Sequence, residues 1–154
     1  MNYRPIIDYL PHRPPMVLLD RLVEAGESRI VCEVTLQVDS PFCDGAAVPG
    51  WVGIEYMAQT VGVLTGWRAL AKHSPVKVGF LVGTRQYQSH VPQFHVGDTL
   101  RITAEEELTG NNSLAVMCCT VHNALGALLA EASLLVFQPA DLDVYLQQAS
   151  TPSE

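Results

Sequence analysis

One acidic side chain, Glu55, stands inside a long apolar segment, where a carboxyl group can do acid or base chemistry. The segment WVGIEYMAQTVGVLTGWRALAKH (residues 51–73) is apolar on nearly every side, which predicts a buried helix rather than an amphipathic one. Pro49 suits the first helical position, because an amide there has no partner in the helix. Glu55, Gln59 and Gly62 follow the i, i+4, i+7 spacing and share one face. Removing a carboxyl from water favours its protonated form, so Glu55 is predicted to face inward and to act as an acid.

Segments with β-branched or alternating apolar residues predict strands on both sides of this helix. We predict strands over residues 16–25, 29–38, 76–84, 86–91, 99–108, 113–122 and 127–137. A helical turn is predicted over residues 6–10, a loop over 39–48, a hairpin turn over 110–112 and a short helix over 142–148. One long helix wrapped by a curved antiparallel sheet is an α+β architecture. Open edges of such a sheet are commonly paired across a dimer.

Length and composition indicate a single folded domain. The 154 residues are 48% hydrophobic and 16% charged, which suits one domain over residues 1–154, with a core over residues 5–140 and a tail over 141–154. The first residues contain charges and prolines where a signal peptide needs an apolar run, and no run of about 18 apolar residues occurs. We therefore expect a cytoplasmic protein without a membrane span. The net charge of −7 argues against a nucleic-acid binder.

The cysteines and histidines lack the spacing of metal sites. Cys32 and Cys43 are far apart and Cys118 and Cys119 are adjacent, which matches neither a CxxC knuckle nor a disulfide framework. We expect reduced thiols, with one of the adjacent pair facing the core, because strand neighbours point in opposite directions. The five histidines contain no HxH or HExxH motif. No metal and no cofactor is predicted.

The basic residues are unevenly distributed along this acidic chain. No Asp or Glu occurs between Tyr56 and Gly97. That stretch contains four of the nine basic residues, Arg68, Lys72, Lys77 and Arg85. Cations near a helix C-terminus complement the helix dipole, which accounts for part of the pattern. The functional interpretation is a positive patch for a small acidic protein or a phosphorylated carrier arm.

Two segments resemble the hotdog-fold 3-hydroxyacyl-[acyl-carrier-protein] dehydratases of fatty-acid synthesis. They are LPHRPPMVLLDR (residues 10–21) and PGWVGIEYMAQ (residues 49–59), and residues 80–100 match more loosely. The combination of WVGIEYMAQT with FLVGTRQYQSHVPQF is similar, more narrowly, to the dehydratase-like hotdog proteins of aryl-polyene pigment clusters. The resemblance implies a hotdog fold and an acyl carrier protein with a phosphopantetheine-linked substrate. It also implies a site formed between two subunits, in a homodimer or a heterodimer with a related hotdog chain.

The same resemblance implies a site at the start of the helix. Glu55 takes the place of the catalytic acid beside the acyl tunnel, Gly50 that of the glycine whose amide binds the thioester oxygen, and Gly62 that of a glycine lining the tunnel. Dehydration needs a base for the α-proton, an acid for the departing hydroxyl and stabilisation of the enolate. We predict Gly50, Trp51, Gln59 and Gly62 as substrate-binding residues.

The family's second catalytic residue, a histidine in a GHFP turn before the PG pair, has no counterpart here. The corresponding segment FCDGAAV (residues 42–48) is several residues shorter and contains no histidine. His12 is the first candidate to replace it, since the LPHR loop lies along the tunnel in the family and imidazole titrates near neutrality. A hydrogen bond that anchors the loop is the alternative role for His12, and His90 is a weaker candidate. Asp44 or Cys43 could also substitute locally, although Asp is an ordinary turn former.

These patterns favour a dehydratase-like protein that acts on 3-hydroxyacyl chains attached to acyl carrier protein. Its catalytic residues would be Glu55 and His12, or Glu55 and a histidine from a partner chain. One alternative is a hotdog thioesterase, in which Glu55 activates water. The other is a non-catalytic subunit of a heteromeric dehydratase.

Overall fold

The computed structural model of the chain describes residues 2–73, 80–109 and 114–137. In chain order the elements are a 3₁₀ turn (Ile6–Tyr9), β1 (Arg21–Ala25), β2 (Arg29–Thr35), β3 (Ala47–Pro49), a second 3₁₀ turn (Gly50–Val52), α1 (Gly53–Ala71), β4 (Phe80–Ser89), β5 (Gln93–His95), β6 (Thr99–Thr109), β7 (Leu114–His122) and β8 (Leu128–Phe137). The predicted hairpin turn at 110–112 and helix at 142–148 lie outside the described residues. No helix in the described segments is long and apolar enough to cross a membrane.

Six strands form one antiparallel sheet in the order β1-β2-β6-β7-β8-β4. The short strands β3 and β5 pair separately, with Val48 opposite Phe94. Helix α1 packs against the large sheet and contacts β2, β6 and β7. The predicted α+β architecture, one long helix against a curved antiparallel sheet, is confirmed.

Three strand predictions differ from the structure. Only the second half of the segment at 16–25 pairs as a strand, β1. Where two strands are predicted at 76–84 and 86–91, the described residues 80–89 form one strand, β4, whose pairing with β8 shifts between Arg85 and Gln88. Gln86 has a positive φ of 55° there, so the backbone bends without ending the strand. The three-residue strands β3 and β5 are too short for alternation to reveal them.

Strand alternation decides which cysteines are buried. In β7, Cys119 is fully buried while its neighbour Cys118 is exposed, which confirms the prediction for the adjacent pair. Cys32 in β2 is also fully buried. All four cysteines are free thiols. Burial raises the pKa of Cys32 and of Cys119 to about 12, so both thiols stay neutral and serve as small apolar packing groups.

Helix α1 is less completely buried than its sequence predicts. Tyr56, Met57 and Val63 lie in the core at 2% exposure or less. The face that carries Glu55 and Gly62 is only half-buried in this chain. Residues 50–52 form a 3₁₀ turn, so the α-helix begins at Gly53 and not at Pro49 as the sequence predicts.

Two helix glycines let the N-terminal 3₁₀ turn approach α1 closely. A Cβ at Gly66 would overlap the backbone carbonyl of Tyr9. A Cβ at Gly62 would stand 3.1 Å from Cδ2 of Leu10, the far end of a flexible side chain. Tyr9 and Leu10 are themselves buried at 4% and 1% exposure. The N-terminal segment is therefore packed directly onto the helix that carries the candidate acid.

A carboxylate on β2 joins the first three strands of the sheet. Glu33 is 8% exposed and lies in register between Arg21 of β1 and Arg101 of β6. It accepts a hydrogen bond from Arg21 and two from Arg101, at 3.1 and 2.7 Å. Burial by itself raises the pKa of Glu33, but the contacts with Arg101 and Arg21 outweigh that effect and hold the pKa below its usual value.

We expect Glu33→Gln to lower the free energy of unfolding at pH 7 by about 1–2 kcal/mol, since charge-assisted hydrogen bonds to a buried group are lost. A carboxyl whose pKa is lower in the folded state stabilises the fold only while it is ionised. The difference between the two proteins should therefore be complete above about pH 5, the upper end of the unfolded titration, and shrink as the pH falls through the lowered pKa of Glu33. Urea unfolding from pH 7 to pH 3 measures it.

Glu105→Gln is the matched control for this prediction. Glu105 lies on β6, its side chain is 61% exposed, and its carboxylate is 4.0 Å from Arg29. An exposed pair of this kind contributes little to stability. Equal losses for the two variants at all pH values would contradict a specific role for Glu33.

Candidate functional site

The start of the helix is held against the strand pair β3–β5. Pro49 is opposite Gln93 at the end of that pair, and the chain then turns directly into the 3₁₀ turn. A Cβ at Gly50 would lie 2.7 Å from both Ser89 Oγ and the Val91 carbonyl. Only glycine fits at this position without moving backbone atoms.

The predicted role of Gly50 as the oxyanion donor does not agree with this geometry. Its amide donates to the carbonyl of Pro92 at 2.9 Å, which continues the β3–β5 ladder by one residue. An amide engaged in this way is not free to bind a thioester oxygen.

Tyr87 on β4 is a residue of this site that the sequence did not indicate. Its hydroxyl donates to the carbonyl of Gly50, and a Cβ at Gly53 would overlap that hydroxyl. Burial raises the pKa of Tyr87, so the phenol keeps its proton and remains a donor. Its contact with the helix start lies 37 residues away in sequence, and no local motif marks it.

The candidate acid Glu55 lies in the first turn of α1, half-buried. Gln59 Nε2 donates to Glu55 Oε1 at 3.1 Å, so the i, i+4 pair predicted from the sequence is in contact. Among the described residues this is the hydrogen bond recorded for the carboxylate, which leaves its second oxygen available.

Gln59 forms three hydrogen bonds within the protein. It is 1% exposed, and its Nε2 also donates to the Met16 carbonyl at 2.7 Å. Its Oε1 accepts the Leu18 amide at 2.9 Å. Both amide protons and one lone pair are thus used within the protein. The side chain fixes the segment before β1 to the helix and orients Glu55, and contact of Gln59 with a substrate stays a prediction.

His12 follows Leu10 in the N-terminal segment, where the Arg13 guanidinium donates to the carbonyls of Leu10 and His12 at 3.0 and 2.8 Å. The Nδ1 atom of His12 is buried and has no hydrogen-bond partner in the described part of the chain. The loop-anchoring hydrogen bond considered as the alternative role is therefore not present at Nδ1.

No histidine of the chain lies within ion-pair distance of Glu55, and all five are described. The ring of His90 is 2.8 Å from Glu131 at the exposed junction of β4 and β8. His73 follows the helix with a positive φ of 54°, and its amide donates to the Leu70 carbonyl. The structure thus brings Glu55 and Gln59 together but adds no imidazole to them.

The shortened loop before β3 supplies no replacement group. Asp44 is exposed, and its Oδ1 accepts the amides of Ala46 and Ala47 at 2.9 Å each. These amide hydrogen bonds lower the pKa of Asp44, so it remains an ionised turn former. Cys43 Sγ accepts the Gly45 amide at 3.4 Å and has no base as a partner among the described residues.

Trp51 is at the surface, with 61% of its side chain exposed. Its ring meets that of Phe42 edge to face, with the centroids 5.7 Å apart. Phe42 has a positive φ of 68°, an unusual conformation for an aromatic residue. Gly62 faces Leu10. The contact of Trp51 and Gly62 with an acyl chain stays a prediction.

One of the four basic residues behind the predicted positive patch is neutralised within the fold. Arg68 is paired with Glu106 and donates to the Glu27 carbonyl, so its charge is compensated. Lys72 and Arg85 are exposed on separate elements, and Lys77 lies outside the described residues. In the described segments no group of three or more His, Cys, Asp or Glu side chains is arranged to hold a metal ion.

Glu55 is therefore oriented and partly removed from water, which suits a proton donor or acceptor. No imidazole of the described residues forms a hydrogen bond or ion pair with it.

Comparison with known proteins gives the family. The model of the ApeP-like family, described as ApeP dehydratase, matches residues 4–147. Among solved structures, a chain of the dehydratase heterocomplex ApeI:P from Xenorhabdus doucetiae is similar with a TM-score of 0.86 and 31% identity, covering 97% of this chain and 100% of that one.

Other relatives are more distant or match in part. The 3-hydroxyacyl-[acyl-carrier-protein] dehydratase FabZ of Streptococcus equi subsp. zooepidemicus is 39% identical over 69 residues, 42% of this chain and 49% of that protein. The chain thus spans about half the length of the curated relatives it matches. A hypothetical thioesterase from Streptococcus pneumoniae TIGR4, solved with coenzyme A, has a TM-score of 0.59 at 15% identity, which indicates the shared fold alone. By the family match over most of its length, the chain belongs to the ApeP-like dehydratase family.

Proposed function

We propose that this chain is one subunit of a dehydratase that removes water from 3-hydroxyacyl thioesters carried on acyl carrier protein. The observation that carries the proposal is the half-complete site, an oriented Glu55 with no imidazole within ion-pair distance. A related hotdog chain would supply the second catalytic group. The resemblance of this chain to a member of a dehydratase heterocomplex supports that arrangement.

In the proposed reaction, the partner's base removes the α-proton of the thioester. The electrons form the α–β double bond through an enolate, and the C–O bond at the β-carbon breaks. Glu55 delivers a proton to the departing hydroxyl, which leaves as water, and the product is the 2-enoyl thioester. A backbone amide at the helix start stabilises the enolate oxygen. Because the Gly50 amide is engaged by Pro92, that donor requires either a shift of this bond or another amide of the turn.

His12 is the alternative second group within the chain. Its buried, unpartnered Nδ1 is an unusual state for a histidine, and a hydrogen bond made only with substrate present would satisfy it. This alternative requires movement of residues 10–13 toward Glu55. A homodimer of this chain would then be sufficient for activity.

Reconstitution separates these possibilities. A 3-hydroxyacyl carrier protein is incubated with the purified chain, with a related hotdog chain from the same gene neighbourhood, and with the mixture of the two. The mass of the product is then measured by mass spectrometry. We expect loss of one water in the mixture and no turnover by this chain alone. Turnover by this chain alone that His12→Ala abolishes would favour the internal histidine.

Two other results of this experiment would contradict the proposal. Release of a free acid would identify a thioesterase, in which Glu55 activates water. Turnover by the related chain that is unaffected by adding this one would leave this chain a binding or structural subunit. Either result would overturn the dehydratase role of Glu55.

A further inference from the structure

The N-terminal segment contains a basic cleft that the site described above does not use. It is open to solvent, has a volume of about 520 Å³ and is lined by Arg4, Ile7, Asp8, Leu10 and Arg13. Two of its five lining residues are arginines, on a chain whose net charge is −7. An acidic protein that keeps two arginines at one cleft concentrates positive potential there.

The charges of these two arginines are not compensated within the described chain. All seven arginines are described, and four of them, Arg21, Arg29, Arg68 and Arg101, are paired with glutamates. Arg4, Arg13 and Arg85 have no recorded carboxylate partner. Two of the three unpaired arginines therefore line the same cleft. Asp8 is the one acidic residue beside them, and it forms no ion pair with either.

Before any ligand arrives, Arg13 is held by its side chain and Arg4 by its backbone. Arg13 Nη1 donates to the carbonyls of Leu10 and His12, which fixes the guanidinium plane and leaves its other N–H groups free to bind. The Arg4 amide donates to Tyr9 Oη at 3.1 Å, which holds its backbone on the 3₁₀ turn. Little conformational freedom of the backbone would be lost on binding.

The cleft is also connected to the helix that carries Glu55. Leu10 lines the cleft and lies against Gly62, while Tyr9 lies against Gly66. Gly62 is seven residues from Glu55, about 10 Å along an α-helix. An extended ligand bound at the arginines would have to run along this face of α1 to bring a reacting group to the acid.

We propose that the Arg4–Arg13 cleft binds a phosphate group, namely the phosphate of the phosphopantetheine arm that carries the acyl chain. Two forked guanidinium groups match the oxygens of a phosphate, and arginine pairs with such groups bidentately. This inference rests on the proposed function for the identity of the arm. The phosphate chemistry follows from the cleft itself.

Direct binding tests the inference without turnover. Isothermal titration of the intact chain is carried out with 4′-phosphopantetheine and with pantetheine, which differ only in the phosphate. We expect 4′-phosphopantetheine to bind more tightly. Arg4→Gln should weaken that binding about tenfold and leave pantetheine unchanged, since one charge-assisted contact is lost. Asp8→Asn should tighten it about twofold, because a like charge is removed beside the phosphate.

Arg85→Gln is the matched control, because Arg85 is the remaining unpaired arginine and lies on β4 outside the cleft. It should leave both affinities unchanged.

A double variant, Arg4→Gln with Arg13→Gln, removes both charges of the cleft. Circular dichroism checks that Arg4→Gln and the double variant remain folded. Should the double variant unfold, Arg4→Gln alone is sufficient for the test. Equal losses for Arg4→Gln and Arg85→Gln would reduce the effect to net charge and overturn the inference.

Three further outcomes are decisive. Equal affinity for the two ligands would exclude a phosphate site. Weaker binding of the whole acyl carrier protein by the variants, with 4′-phosphopantetheine unaffected, would assign the arginines to acidic side chains of the carrier instead. Phosphate-dependent binding without any dehydration by the reconstituted mixture would reject the proposed function while leaving the cleft in place.

Discussion

Glu55→Gln should lower kcat for dehydration by about 10²–10⁴ in the mixture that is active with wild-type protein, because loss of a positioned general acid costs that much. The amide keeps the size of the side chain and can still accept a hydrogen bond from Gln59, so the helix start is preserved. KM should change much less than kcat, since the substrate contacts outside the reacting atoms remain. Steady-state rates with a 3-hydroxyacyl carrier protein measure both constants.

Glu107→Gln is the control for that experiment. Glu107 is an exposed glutamate on β6, and its replacement by Gln removes the same charge from the chain as Glu55→Gln does. It should leave kcat and KM unchanged. Full activity of Glu55→Gln would reject Glu55 as the acid, and a loss shared with Glu107→Gln would indicate an effect of net charge.

Gly66→Ala should reduce the free energy of unfolding by about 2 kcal/mol or more. Alanine in place of a glycine within a helix ordinarily stabilises it by about 1 kcal/mol. Here the added methyl group would overlap the Tyr9 carbonyl, a backbone group that cannot rotate away, so the upper end of the overpacking cost applies. That cost of about 3 kcal/mol exceeds the helix gain by about 2 kcal/mol. The 3₁₀ turn and the helix would have to separate. Urea unfolding followed by circular dichroism measures the change.

Gly62→Ala is the matched variant one turn earlier. Its Cβ would meet the end of the Leu10 side chain at 3.1 Å, and a small rotation of that side chain relieves the contact. The helix-propensity gain should then offset the crowding, leaving stability within about 0.5 kcal/mol of wild type. Equal stability of the two alanine variants would contradict the close approach of Tyr9 to the helix.

The long elements were predictable because their patterns are local. The spacing of Glu55 and Gln59 places them on one helical face at any position of the helix, and alternation in β7 distinguishes Cys119 from Cys118. The resemblance of residues 10–21 and 49–59 to the dehydratases indicated the hotdog fold. These inferences need no knowledge of which strand lies beside which.

The contacts that complete or limit the site depend on that knowledge. The Gly50 amide is engaged by Pro92, 42 positions later, and its carbonyl by Tyr87, so the helix start looked open in the sequence and is not. Arg68 belongs to an acid-free stretch, yet it pairs with Glu106 of β6. Residues distant in sequence supply these partners, and local periodicity contains no information about them.

The hydrogen bonds of Gln59 have a thermodynamic consequence for the acid. One side chain holds the Met16 carbonyl, the Leu18 amide and the Glu55 carboxylate together. A ligand that displaces the backbone at 16–18 would therefore also change the rotamer population of Glu55, and by linkage that population would change the affinity for the ligand. The Met16 amide donates to the Arg13 carbonyl at 2.9 Å, so consecutive hydrogen bonds join the backbone beside the arginine cleft to the carboxyl of Glu55.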